Sequence, residues 1–173
     1  RLVHDNLKDM NDVTTSQIYQ KGSWTLHMLR GVVGTENFWK GIKLYYRQYR
    51  DSHATVADFR RVMEEVSGKD LTTFFNQWLY KPGTLKYKGN WSYDASTKQV
   101  TIKLDQAQTD GSLFKMPIQI AVYYPGEAKP QMQTVQADAR ANFFSIKVTG
   151  EPEKVILDPD MWILMDADFK KEE

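Results

Sequence analysis

The apolar residues of this chain repeat with one period up to Pro82-Gly83 and with another after it. Before that pair they recur every three or four positions, the spacing that lines one side of an α-helix. After it they alternate, as in Val100/Ile102/Leu104 and Ile118/Ile120/Val122, the spacing that lines one face of a strand. The two halves must therefore bury their apolar faces in different kinds of layer. The expected class is α+β in two domains: a helical bundle over residues 1–83, then an antiparallel β-sandwich of immunoglobulin-like architecture over 84–173. At 173 residues, 41% of them hydrophobic, the chain is long enough for one medium core or two small ones.

Four helices are marked by their ends. Thr14 and Gln17 fit a capping box, in which the hydroxyl and the amide each satisfy a backbone N–H that the first turn leaves unpaired, and Val13 and Ile18 flank it as a hydrophobic staple. Ile18, Gly22, Leu26, Leu29 and Val33 form the stripe of the first helix, which ends at 31–34. Thr35 is placed to cap the second. Its stripe of Phe38, Ile42, Tyr45 and Tyr49 is widened by Trp39 and Tyr46, so packing on two sides is expected. The third runs from a Thr55/Asp58 box through Phe59, Val62, Met63 and Val66 to Gly68, whose missing side chain suits a left-handed cap. The fourth starts at Asp70, buries Leu71, Phe74, Phe75, Trp78 and Leu79, and stops at Pro82-Gly83. Strands are expected at 85–87, 91–94, 99–105, 113–124, 131–137, 142–148 and 153–158. The segment DPDMWILMD offers an eighth, and the closing KKEE reads as a solvated tail.

Composition removes several chemistries. There is no cysteine, hence no disulfide, thiolate metal site or cysteine nucleophile. A net charge of +1 has nothing to draw a polyanion, so no nucleic-acid partner is expected. No apolar run reaches the about 18 residues of a membrane-spanning helix, so no membrane is expected either. His4, His27 and His53 are far apart in sequence and belong to no H-E-x-x-H helix, so no complete metal site is expected; His27 should border the packed face of its helix. Asp158, Asp160, Asp166 and Asp168 lack the spacing of a calcium loop and read as turn and surface residues. The aromatic series Phe38, Trp39, Tyr45, Tyr46 and Tyr49 reads as core, not as a ligand platform. Tyr19 stands one residue from the Ile18 stripe, about 100° round the helix, and so can face a cleft.

Taken in order, several segments resemble a known family. They are Tyr19-Gln20-Lys21-Gly22 with Trp24, Leu26, His27, Met28 and Leu29; Gly34-Thr35-Glu36-Asn37-Phe38-Trp39; Tyr45-Tyr46; residues 55–59; Ser67-Gly68-Lys69-Asp70-Leu71; and Phe74-Phe75-Asn76-Gln77-Trp78-Leu79, closing on Pro82-Gly83. They resemble the zinc aminopeptidases of the aminopeptidase N and leukotriene hydrolase type, the gluzincins. Asn90-Trp91-Ser92-Tyr93-Asp94 and Gln106-Ala107-Gln108 resemble the β-sandwich that follows the catalytic domain in that family.

The resemblance implies that residues 1–83 are the latter helical part of a thermolysin-like catalytic domain. Such enzymes carry H-E-x-x-H and a distant glutamate as zinc ligands further upstream, together with a G-x-M-E-N-type segment; none of these stands in the chain. Zinc is thus implied for the complete enzyme, and no metal for this chain. By its match to the Y-x-K-G tyrosine, Tyr19 is implied as the catalytic residue. A neutral phenol, with a pKa of about 10, stays a donor at pH 7 and would hydrogen-bond the oxyanion formed as the scissile carbonyl is attacked. Gly22 would let another element approach the helix closely. The function implied is the C-terminal part of a zinc-dependent metallo-aminopeptidase acting on peptide substrates, inactive without the missing N-terminal part of the same protein. The alternative is a non-catalytic protein-interaction module from a family member without zinc. Helices shaped to pack on a missing lobe would expose apolar surface through Trp24, Trp39 or Tyr45/Tyr46, so self-association of the isolated chain is expected. By analogy with exported relatives, a periplasmic or extracellular location is favoured; substrate-binding residues are not legible.

Overall fold

The computed structural model describes residues 2–3, 9 and 16–172. Thr14 of the expected capping box, the Val13 half of the staple and His4 lie outside them. The chain divides into two units, Arg1–Pro82 and Gly83–Glu173. One is helical and the other is built of two antiparallel-rich sheets, an α+β arrangement with four helices among the described residues.

Helix α1 (Ser16–Val33) buries Thr25, Met28, Leu29 and Val33 and leaves Leu26 43% exposed. The buried stripe is thus turned away from the expected Gly22/Leu26 line, because Gly22 has no side chain to contribute to a core. Thr25 can be buried cheaply, since its hydroxyl donates to the Lys21 carbonyl at 2.8 Å.

Helix α2 (Thr35–Tyr49) starts after Gly34 with no side-chain cap, correcting the role expected of Thr35. Gly34 takes a φ of 86°, which glycine enters without steric cost. Packing is one-sided: Phe38 and Gly41 are buried, whereas Trp39 and Tyr46 are 50% and 65% exposed. The expected two-sided aromatic core is therefore only half present. Helix α3 (Val56–Ser67) carries the expected reciprocal box. The Thr55 hydroxyl accepts the Asp58 N–H at 3.3 Å, the Asp58 carboxylate accepts the Thr55 N–H at 3.0 Å, and Gly68 closes the helix at φ 66°. Val62 and Met63 are fully buried. Met63 lies over Gly41, where a Cβ would come within 2.5 Å of its Sδ, so the α2–α3 approach depends on that glycine. Helix α4 (Thr72–Phe75) begins after Asp70, whose carboxylate accepts the Thr72 N–H at 2.8 Å, and widens into a π turn over Asn76–Tyr80. The Leu2 and Val3 N–H groups both donate to the Leu79 carbonyl, at 2.8 and 3.0 Å.

Seven strands follow: β1 (Leu85–Asp94), β2 (Gln99–Gln106), β3 (Met116–Tyr123), β4 (Gln131–Ala137), β5 (Ala141–Lys147), β6 (Lys154–Leu157) and β7 (Met165–Lys171). Their order is β5-β2-β1-β7 in one sheet and β4-β3-β6 in the other. The two strands expected at 85–87 and 91–94 are one, because Lys88, Gly89 and Asn90 stay in the ladder opposite Asp105, Leu104 and Lys103. A Cβ at Gly89 would collide with the Lys103 carbonyl, so a glycine there lets the backbones pair.

The C-terminal expectation is also corrected. Lys170 and Lys171 belong to β7, which pairs with β1 in parallel from Leu85↔Met165 to Trp91↔Lys171. The arrangement is therefore not wholly antiparallel. An extended segment satisfies the N–H and C=O groups that β1 would otherwise leave bare, and this needs no hydrophobic pattern in β7 itself. Leu85, Tyr87 and Trp91 of β1, Val100, Ile102 and Leu104 of β2, and Met116, Ile118 and Ile120 of β3 supply the buried faces. Gln106 and Gln108 serve structure: the Gln106 amide donates to the Phe114 carbonyl at 2.6 Å and its Oε1 accepts the Gln108 amide at 2.8 Å, pinning the loop before β3.

Candidate functional site

Tyr19 lies in the first turn of α1 and is 70% exposed. Its backbone is held in the helix, where its carbonyl accepts the Ser23 hydroxyl at 2.8 Å, while its ring faces outward. The phenol is thus outside any sealed aromatic core. Gly22 and Leu26 follow three and seven residues later, so the three share one side of α1. Gly22 and Leu26 line a groove of about 380 Å3 together with Leu29, Tyr45, Phe59 and Phe75, and no charged residue takes part in its lining. Lys21, about 200° round the helix from Tyr19, is half-buried. Burial holds its ammonium below the usual lysine range.

The remaining sequence candidates do not converge. His27 is half-buried and stands edge-on to Trp24, ring centroids 5.4 Å apart, with its Nδ1 3.4 Å from Arg30 Nη2; it borders the packed face as expected. His53 is exposed beyond α2. Asp158 is buried and its two carboxylate oxygens accept the Trp162 and Ile163 N–H groups at 2.9 and 2.7 Å, a turn role. Asp160, Asp166 and Asp168 are exposed. Among the described residues no group of three or more His, Asp or Glu side chains is placed to hold a metal. The described residues thus assemble no ligand set for a zinc ion. Among these residues no helix is long and apolar enough to cross a membrane. The groove itself was missed by sequence reasoning. Its signal was the Gly22/Leu26 pair, which the periodic stripe absorbed as core.

The helical unit that carries Tyr19 has known counterparts. Residues 2–78 match the model of the Peptidase family M1 domain. Aminopeptidase N of Escherichia coli strain K12 is 33% identical over 118 residues, 67% of this chain. Aminopeptidase N of Lactococcus lactis subsp. lactis is 34% identical over 85 residues, 47% of this chain. The chain belongs to the M1 peptidase family.

The 118 residues shared with the E. coli protein exceed the length of Arg1–Pro82, so the M1 likeness continues into the β unit. This M1 chain spans only 13% and 10% of the lengths of those two relatives. In fold it is similar to the crystal structure of Legionella pneumophila aminopeptidase A in complex with aspartic acid, with a TM-score of 0.82 at 18% identity, over 96% of this chain and 19% of that one.

Proposed function

We propose that this chain is the part of a zinc-dependent M1 metallo-aminopeptidase that follows its metal-binding segment. On this reading it comprises the latter helical part of a thermolysin-like catalytic domain and an immunoglobulin-like sandwich, and the complete enzyme removes N-terminal residues from peptides. The observation that carries the reading is the exposed phenol of Tyr19 on α1, within the segment that matches the family. A phenol is neutral at pH 7 and donates one hydrogen bond. Aimed at the carbonyl oxygen of a scissile peptide bond, that bond strengthens as the oxygen gains negative charge, so it favours the transition state over bound substrate. The zinc supplies Lewis-acid chemistry when bound; its ligands would lie on polypeptide beyond the described residues, which assemble no such set.

The experiment compares the 173-residue chain with the full polypeptide that contains it, using aminoacyl anilides and metal analysis. The chain alone is expected to hydrolyse nothing and to retain no stoichiometric zinc, while the full polypeptide hydrolyses the anilide. Turnover or one tight zinc ion in the isolated chain would overturn the reading. A full polypeptide that folds but hydrolyses no aminoacyl bond would instead support a non-catalytic interaction module, for which the exposed Trp39 and Tyr46 offer a surface.

A further inference from the structure

Gly22 occupies the interior of α1, where glycine costs about 1 kcal/mol relative to alanine. Two reasons ordinarily retain a glycine in a helix: a backbone angle that other residues resist, or a neighbour too close for a Cβ. Gly22 is not among the glycines with positive φ, and a Cβ built on it meets nothing within 4 Å among the described residues. Gly41 shows the contrast, since its missing Cβ is explained by Met63. The neighbour that would explain Gly22 lies outside this set of residues.

The groove that Gly22 floors says what that neighbour is like. The lining is aliphatic and aromatic, with no charged side chain to compensate a buried ion. The hydroxyls of its two threonines are already engaged: Thr25 donates to the Lys21 carbonyl and Thr55 donates to Asp58. Leu26, which also lines the groove, is 43% exposed although it stands on the same side of the helix as Gly22. The carbonyl of Leu79, another lining residue, accepts both the Leu2 and Val3 N–H groups, so residues 2–3 are tied to the groove's lining.

We infer that the Gly22 groove is a docking seat for an apolar segment of the same polypeptide, supplied by the remainder of the M1 catalytic domain and crossing α1 in close contact at Gly22. The inference rests on the proposed function only in taking the chain as part of a longer enzyme. It adds that the α1 bearing Tyr19 is clamped from this side, so the phenol is positioned by polypeptide beyond residues 2–78. The 13% span against E. coli aminopeptidase N gives the relative ample chain to supply such a segment.

The absence of cysteine makes the test direct, because Leu26→Cys places a unique thiol at the groove. Maleimide labelling is measured in the 173-residue chain and in the full polypeptide, with native cysteines of the latter replaced and Met161→Cys, on the exposed β unit, as the reference thiol. The expected result is rapid labelling in the isolated chain and labelling slowed by roughly a hundredfold or more in the full polypeptide, relative to the reference. Equal labelling in both overturns the inference. Protection in the isolated chain that grows with its concentration assigns the groove to a second copy, and protection independent of concentration assigns it to the chain's own residues; both overturn it. Protection of the full polypeptide only on adding a short apolar peptide makes the groove a substrate pocket and also overturns it.

A second variant reads the glycine itself. Gly22→Ala is expected to raise the melting temperature of the isolated chain by about 4 °C and to lower that of the full polypeptide; a rise in both contradicts the close crossing. Anilide hydrolysis by the labelled full polypeptide separates the two ideas. Hydrolysis with an unprotected Leu26→Cys leaves the function standing without the docking seat, and protection without hydrolysis does the reverse.

Discussion

At the scale of single residues, the molecule turns on which side chains are missing as much as on which are present. Gly41 is the clearest case. A Cβ there would sit 2.5 Å from Met63 Sδ and 3.2 Å from Val66 Cγ2, and because Met63 is fully buried its thioether end would have to shift within a packed core. Gly41→Ala gains helix propensity of about 1 kcal/mol but overpacks the α2–α3 contact by about 1–3 kcal/mol, so overpacking wins. A lowered urea midpoint, by about 1 kcal/mol of stability, is the expected outcome, and a raised midpoint would contradict the packing described. Sequence could not reveal this, because periodicity registers only residues that have side chains to bury. Leu26 read as core because it falls on a helical repeat, yet among the described residues it stays 43% exposed. Tyr19 was legible only through its resemblance to a motif, since pattern alone makes it one tyrosine among nine.

At the scale of elements, ends were easier to read than edges. The Thr55/Asp58 box and Gly68 announce α3 through local hydrogen-bond chemistry, and both are present. Strand β7 was not legible, because its place beside β1 depends on a partner some eighty positions away in the chain. The β1–β2 turn shows local chemistry acting on stability. The Asp94 carboxylate accepts the Ser96 hydroxyl at 2.6 Å and the Ser96 and Thr97 N–H groups at 2.8 and 3.3 Å. The Ser96 side-chain hydrogen bond, then those from Thr97 and the Ser96 backbone, hold the Asp94 pKa at about 2, below its usual 3.8. A carboxyl with a depressed folded pKa contributes stability above its unfolded value and loses it as pH falls through the folded one. The β unit should therefore lose stability between pH 4 and 2, and Asp94→Asn should flatten that part of the profile. Superimposable acid melts of the two proteins would remove the turn from the account.

At the scale of the whole molecule, the chain divides into the units Arg1–Pro82 and Gly83–Glu173. The β unit buries Leu85, Ile102, Leu104, Ile118 and Ile120 among its own strands. Gly83–Glu173 produced alone is thus expected to show a cooperative thermal transition by circular dichroism, whereas a featureless melt would show that it needs the helical unit. The helical unit is different in kind: it carries the segment that matches the family, an outward phenol and an apolar groove that the described residues leave open. The central claim is that Tyr19 stabilises charge that appears only during reaction. Steady-state kinetics of Tyr19→Phe in the full polypeptide test it most directly. The expected result is a kcat lower by roughly 10²- to 10³-fold, with KM and zinc content little changed. A variant that turns over at the wild-type rate would contradict it.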